Sequence, residues 1–195
     1  MRVLLAVIMA SACGPATQDD NDTATVASPR DEFWSRLTAL CGNAYGGTVA
    51  ESVPPDTMMS SQALVMHVRD CSADTIRIPF HVGTNRSRTW VVTREASGLR
   101  LKHDHRHADG TADSVTMYGG DTRSDGTADR QEFFADSLTA SLIPAARTNI
   151  WAIDVTPGQS FVYALRREGT DRRFRAEFDL ATPVTIPPPA WGAAR

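Results

Sequence analysis

Leu99-Arg100-Leu101-Lys102-His103-Asp104-His105-Arg106-His107 is the segment whose residue types and spacing point most directly at chemistry. In a strand, side chains two apart share a face. That places Leu99, Leu101, His103, His105 and, if the strand persists, His107 on one side. Arg100, Lys102, Asp104 and Arg106 fall on the other. With the leucines turned inward, His103 and His105 follow them toward a polar end of the core. Neutral imidazoles at such positions can bind zinc or copper. Neighbours on one strand face stand about 6.5–7 Å apart at the backbone. Adjacent members can therefore converge on an ion, with His67, His81 or an Asp completing the set. The competing reading has the histidines in hydrogen bonds to backbone or to carboxylates, with Asp104, Asp109 and Asp113 close in sequence. Arg88 and Trp90 form a second pair on one strand face. An inward arginine requires a partner, either a protein carboxylate or a bound anion.

These residues need a scaffold, and the chain alternates apolar and polar residues along most of its length. Leu64, Met66 and Val68 form one row, and Ile76, Ile78, Phe80 and Val82 another. Trp90 with Val92, Leu99 with Leu101, and Val115 with Met117 mark three more. Trp151-Ile153-Val155, Phe161-Tyr163-Leu165 and Phe174-Ala176-Phe178 continue the series, with weaker candidates at 45–49 and 130–134. Gly, Asp and Pro clusters separate most of these rows. The expectation is a mainly β fold, an antiparallel up-and-down barrel or sandwich. One N-terminal helix begins at Ser28-Pro29-Arg30-Asp31, with Ser28 as cap and Asp31 completing a capping-box variant. Phe33, Leu37 and Leu40 lie on its one face, and Gly42 ends it. A second short helix fits Asp136 to Ile143. Asp109-Gly110-Thr111-Ala112-Asp113 recurs at 125–129 and reads as two similar turns.

The chain has 195 residues and a formal charge of −3, so no basic excess exists to attract nucleic acid. Lys102 is the only lysine. No Gly-x-Ser-x-Gly elbow, P-loop, Rossmann fingerprint or HExxH motif is present. An enzyme of unrecognised class remains as one alternative.

At the N-terminus, Met1-Arg2 precedes the apolar run Val3 to Met9, and small residues lead to Cys13-Gly14. A membrane span needs about 20 apolar residues, so this run reads as a secretory signal. The segment Ala10-Ser11-Ala12-Cys13 resembles the bacterial lipobox. That resemblance implies cleavage before Cys13, acylation of its thiol, and, with Gly14 following, an outer-membrane lipoprotein facing the periplasm. The alternative is a soluble secreted or periplasmic protein. Residues 1–12 are then signal peptide, 13–27 a polar tether, 28–186 one β-rich domain, and 187–195 a Pro-rich tail whose Trp191 folds back over apolar surface. With Cys13 lipidated, Cys41 and Cys71 read as a disulfide in an exported chain.

The succession of meandering strands behind one helix resembles a calycin-type barrel in architecture. Phe33-Trp34, Leu40-Cys41-Gly42, Ile78 to Gly83, Ser87 to Trp90, Leu101 to His107 and Tyr118 to Thr122 also resemble an uncharacterised family of small secreted proteobacterial proteins. That family implies no activity. The expected role is an envelope lipoprotein whose barrel binds a small molecule or an envelope protein, with Arg88 and Trp90 as ligand contacts. The alternative is a periplasmic zinc or copper protein using His103, His105 and His107.

Overall fold

The computed structural model describes residues 27–193. Helix α1 (Pro29–Thr38) opens on the capping arrangement its sequence specifies. Ser28 Oγ accepts from the Asp31 N–H at 3.1 Å and donates back to the Asp31 carboxylate at 2.7 Å. Phe33, Trp34 and Leu37 are buried on its inner face. Strand β1 (Ala44–Val53) follows, then a one-turn helix α2 (Thr57–Ser60) that the sequence pattern did not announce. Two short strands, β2 (Leu64–His67) and β3 (Asp70–Cys71), run one after the other along the same edge of β4 (Thr75–Val82). They act as one interrupted strand.

The rest is a meander: β5 (Asn85–Glu95), β6 (Gly98–His105), β7 (Tyr118–Asp121) and β8 (Arg130–Ala135), then helix α3 (Ser137–Leu142), then β9 (Asn149–Thr156), β10 (Ser160–Arg167) and β11 (Arg173–Val184). Each strand pairs antiparallel with the next, and β1 pairs with both β2 and β11. The β2–β4 pairing completes the ring, giving a closed barrel of ten strands. Closure removes the sheet edges that an open sheet would expose. The up-and-down barrel expectation is met, with two strands more than the eight of a lipocalin.

The alternating rows line the interior. Ile76, Ile78, Leu101, Phe133, Ile153, Val155 and Phe161 are fully buried. Each large apolar side chain so buried contributes about 1.5–3 kcal/mol. Helix α1 plugs one end of the barrel. Its Arg30 and Arg36 pair with Asp125 and Asp129 of the β7–β8 loop, and its Asp31 pairs with Arg94 near the β5–β6 turn. The Arg94 guanidinium also sits 5.4 Å above the Trp34 ring. Cys41 and Cys71 are disulfide-bonded at this end, with 6.4 Å between their Cα atoms.

Three expectations change. Val115 and Met117 are not a strand: Val115 is exposed and Met117 takes a left-handed φ of 57°. Their place is held by β7, whose centre is Gly119-Gly120 and so carries no apolar row to read. His107 lies beyond the end of β6 and is exposed, because the strand stops at His105. His67 and His81 face outward on β2 and β4, opposite in phase to the inward Met66 and Phe80, so they cannot join His103. The Pro-rich tail does fold back. Trp191 N–H donates to the Arg86 carbonyl at 3.0 Å, and Arg86 Nη1 donates to Pro189 O at 3.0 Å.

Candidate functional site: the open mouth of the barrel

The end opposite α1 is not filled. Strand register builds its walls in levels. Ile78, Trp90, His103 and Tyr118 stand opposite one another across β4, β5, β6 and β7. Two residues nearer the rim, Phe80, Arg88 and His105 are in line. Tyr163 and Leu165 on β10 and Phe174 on β11 supply the facing wall. Together with α2 and the β10–β11 turn they enclose a cavity of about 400 Å³. That is within the usual range for small-molecule sites, about 300–1,000 Å³.

The floor is aromatic. Trp90 lies between Phe80 and Tyr163, stacked on each with ring centroids 4.6 and 4.4 Å apart. His103 stacks on Tyr118 at 4.6 Å, nearly parallel. Such contacts add to simple burial and fix ring positions. Beneath them Trp151 and Phe161 fill the barrel, so the cavity is wide and short rather than a long channel.

The polar groups are held just as firmly. His103 Nδ1–H donates to the Tyr118 carbonyl at 3.1 Å, which makes Nε2 the acceptor for the Tyr163 hydroxyl at 2.7 Å. Burial drives the His103 pKa down to about 3, so the ring is neutral throughout the physiological range. Burial also pushes Tyr163 well above its ordinary value, and Tyr118 up to about 12. His105 Nε2 lies 3.2 Å from the Tyr118 hydroxyl. Its pKa is lowered by burial and then by Arg88, against the opposing pull of Asp113 and Asp104. The His103–Tyr163 pair is thus a neutral structural bond. Its imidazole is too weak a base, and its phenol too weak an acid, for proton transfer near neutrality.

Arg88 is half-buried on the inner wall. Its guanidinium reaches only neutral oxygens, Asn85 Oδ1 at 3.3 Å and Ser87 Oγ at 3.4 Å. Arg172, exposed on the β10–β11 turn, lines the same mouth. Both arginine charges oppose the upward shift that burial gives the Tyr118 phenol, which lines the same mouth. Arg173 is also at the rim but pairs with Glu51 at 2.8 Å. Asp56 lines the mouth as well, with one carboxylate oxygen capping α2 through the Met59 N–H at 2.9 Å.

The structure therefore brings His103, His105, Arg88 and Trp90 into one cavity and leaves His107 outside it. Both His103 ring nitrogens are engaged by protein groups. Among the described residues no group of three or more His, Cys, Asp or Glu is arranged to hold a metal ion. Cys13 lies outside the described residues. Sequence reading missed Tyr118, Tyr163 and Arg172 as site residues. Tyr163 was visible as the middle of an inward row, whereas Arg172 sits on a turn, where no periodicity marks it.

A groove of about 440 Å³ on the outer face, beside the returning tail, is lined by charges that satisfy one another. Asp104 accepts from Arg106 Nε at 2.7 Å and lies 3.8 Å from Arg77. No helix among the described residues is long and apolar enough to cross a membrane. No family model, no curated protein and no solved structure matches the chain.

Proposed function

We propose that this barrel is a binding domain that takes a small molecule into its open mouth, and that the chain is carried on the bacterial envelope by lipid on Cys13. One observation carries the binding reading: an unfilled cavity of about 400 Å³ at one end of a barrel whose other end is packed solid. Protein interiors are close-packed, and a space this size with rigid aromatic walls is typical of a preformed site. Met58 and Met59 of α2 stand over the opening, and Met58 is among the exposed large apolar residues. Unbranched thioether side chains adapt to an occupant at low cost. The lipid reading is supported by the lipobox-like Ala10-Ser11-Ala12-Cys13-Gly14 and by the pairing of the other two cysteines with each other.

Native mass spectrometry of the protein purified from its own envelope tests both parts. The expected result is a chain beginning at acylated Cys13 that retains a small-molecule adduct. Leu165→Trp, which fills the mouth, is expected to lose the adduct and keep the acylation. A chain with free Cys13 overturns the anchor, and recovery with no adduct from wild type overturns the binding reading.

A further inference from the structure

We propose that the occupant of the mouth is a compact planar aromatic anion, its ring seated on the aromatic floor of Phe80, Trp90 and Tyr163 and its acidic group held by Arg88 and Arg172 at the rim. This rests on the binding reading above and names the ligand class. The charge argument comes from how arginines are treated elsewhere in the fold. Arg30, Arg36, Arg94, Arg100, Arg130 and Arg173 each pair with a carboxylate, whereas Arg86, Arg123, Arg147 and Arg167, all outside the mouth, use carbonyl, amide or ring partners instead. Among the described residues Arg88 has no carboxylate partner, though it is half-buried on an inner wall. Arg172, on an exposed turn, makes no ion pair among the described residues either. The half-buried Arg88 guanidinium has only two neutral acceptors and keeps its charge available to an anion, and the exposed, solvated Arg172 can turn to the same anion. The counter-charges facing the site are few. Asp56 is engaged as a helix cap, and Asp113 opposes the arginines at His105 and Tyr118 but turns one oxygen to the Val115 N–H at 2.9 Å.

The shape argument comes from the floor. Phe80, Trp90 and Tyr163 stack on one another at 14° and 18°, so both faces of Trp90 are already covered and this rigid aromatic floor meets an occupant through what remains open of the three nearly buried rings. Trp151 and Phe161 block the barrel below, which leaves no channel for an extended acyl chain. Tyr118 also lines the mouth, its phenolic hydroxyl 3.2 Å from His105 Nε2. It stays protonated at neutral pH and can donate to an acceptor there.

Three soluble probes separate the elements of the proposal by calorimetric titration of the full chain at neutral pH. They are 2-naphthoate, its neutral isostere 2-naphthamide, and octanoate, an anion with a flexible tail. The expected result is 1:1 binding of 2-naphthoate about tenfold or more tighter than 2-naphthamide, since charge-assisted bonds are roughly twice as strong as neutral ones. Octanoate is expected to bind more weakly than 2-naphthoate. The Arg88→Gln/Arg172→Gln double variant is expected to retain 2-naphthamide and bring the two naphthyl ligands to within about threefold. Should the double variant fail to fold, Arg172→Gln alone, at an exposed turn, is expected to narrow the gap by about threefold. Equal binding of acid and amide overturns the anion and leaves the binding reading standing. Octanoate binding as tightly as 2-naphthoate overturns the planar body. Binding of neither naphthyl probe nor octanoate, in a protein that carries a different adduct by mass spectrometry, overturns the ligand class alone. With no adduct either, both readings fall.

Discussion

His103 shows how far environment decides what a side chain can do. Its strand position made it a metal-ligand candidate. Its surroundings make it a neutral spacer with one ring nitrogen donating to a carbonyl and the other accepting from a phenol. The same burial has a consequence for acid stability. His103 is driven down to about 3 and His81 to about 4, with His67 and His105 lowered as well. In the unfolded chain these groups titrate at about 6.5. Between that value and about 4 the unfolded state therefore binds more protons than the folded one, so stability falls as pH falls through this window. Melting temperature is expected to drop steadily from about pH 6.5 toward 4, before most carboxylates titrate. His81 has a buried Nε2 with no partner among the described residues. His81→Gln is expected to flatten that slope, and an unchanged slope would remove His81 from the account.

At the scale of elements, β7 is where the sequence was hardest to read and the packing is tightest. A side chain at Gly120 would put its Cβ 1.8 Å from the Phe134 carbonyl, and one at Gly119 1.9 Å from that of Leu101. Only glycine lets β7 fit between β6 and β8. Thr139 of α3 then locks the strand from outside, accepting from Gly119 N–H and donating to Gly119 O, both at 2.6 Å. Gly120→Ala is expected to cost about 1–3 kcal/mol or more by urea denaturation, as overpacked sites do. Gly46→Ala, whose Cβ would meet only Val184 Cγ1 at 3.6 Å, is expected to cost less than about 1 kcal/mol. Equal losses would show that β7 can shift. These contacts also explain what was legible. Long alternating rows such as Ile76 to Val82 and Trp151 to Val155 announce their strands, because one face of each meets the core. Gly119-Gly120 announces nothing, since its information lies in what a neighbour's carbonyl excludes. Arg88 and Trp90 were readable as a pair on an inward face. That the barrel is open above Trp90, at the level of Arg88, was not, because emptiness depends on the sum of all ten strands.

For the whole molecule, order depends on closure, and closure depends on the short β2–β4 pairing, only Leu64 to Met66 against Phe80 to Val82. The Cys41–Cys71 bond, at the plugged end, anchors β3, which continues β2 along the same edge of β4, and spans a sequence separation of 30. A loop of that length is worth about 3–4 kcal/mol in the chain-entropy model. Reduction with alkylation is expected to lower unfolding free energy by about that amount, read by urea denaturation, and to raise hydrogen exchange first at β2 and β3. A reduced protein as stable as the oxidised one would mean the seam holds without it.

The placement of α1 has one more consequence. The chain joins the barrel at Ala27-Ser28, beside the plugged end, where Arg30 and Asp31 grip the loops of β7–β8 and β5–β6. A chain held through Cys13 would therefore hang with its stopper toward the bilayer and its opening toward the aqueous space. Whatever it captures would arrive dissolved in water, not by sliding out of the lipid.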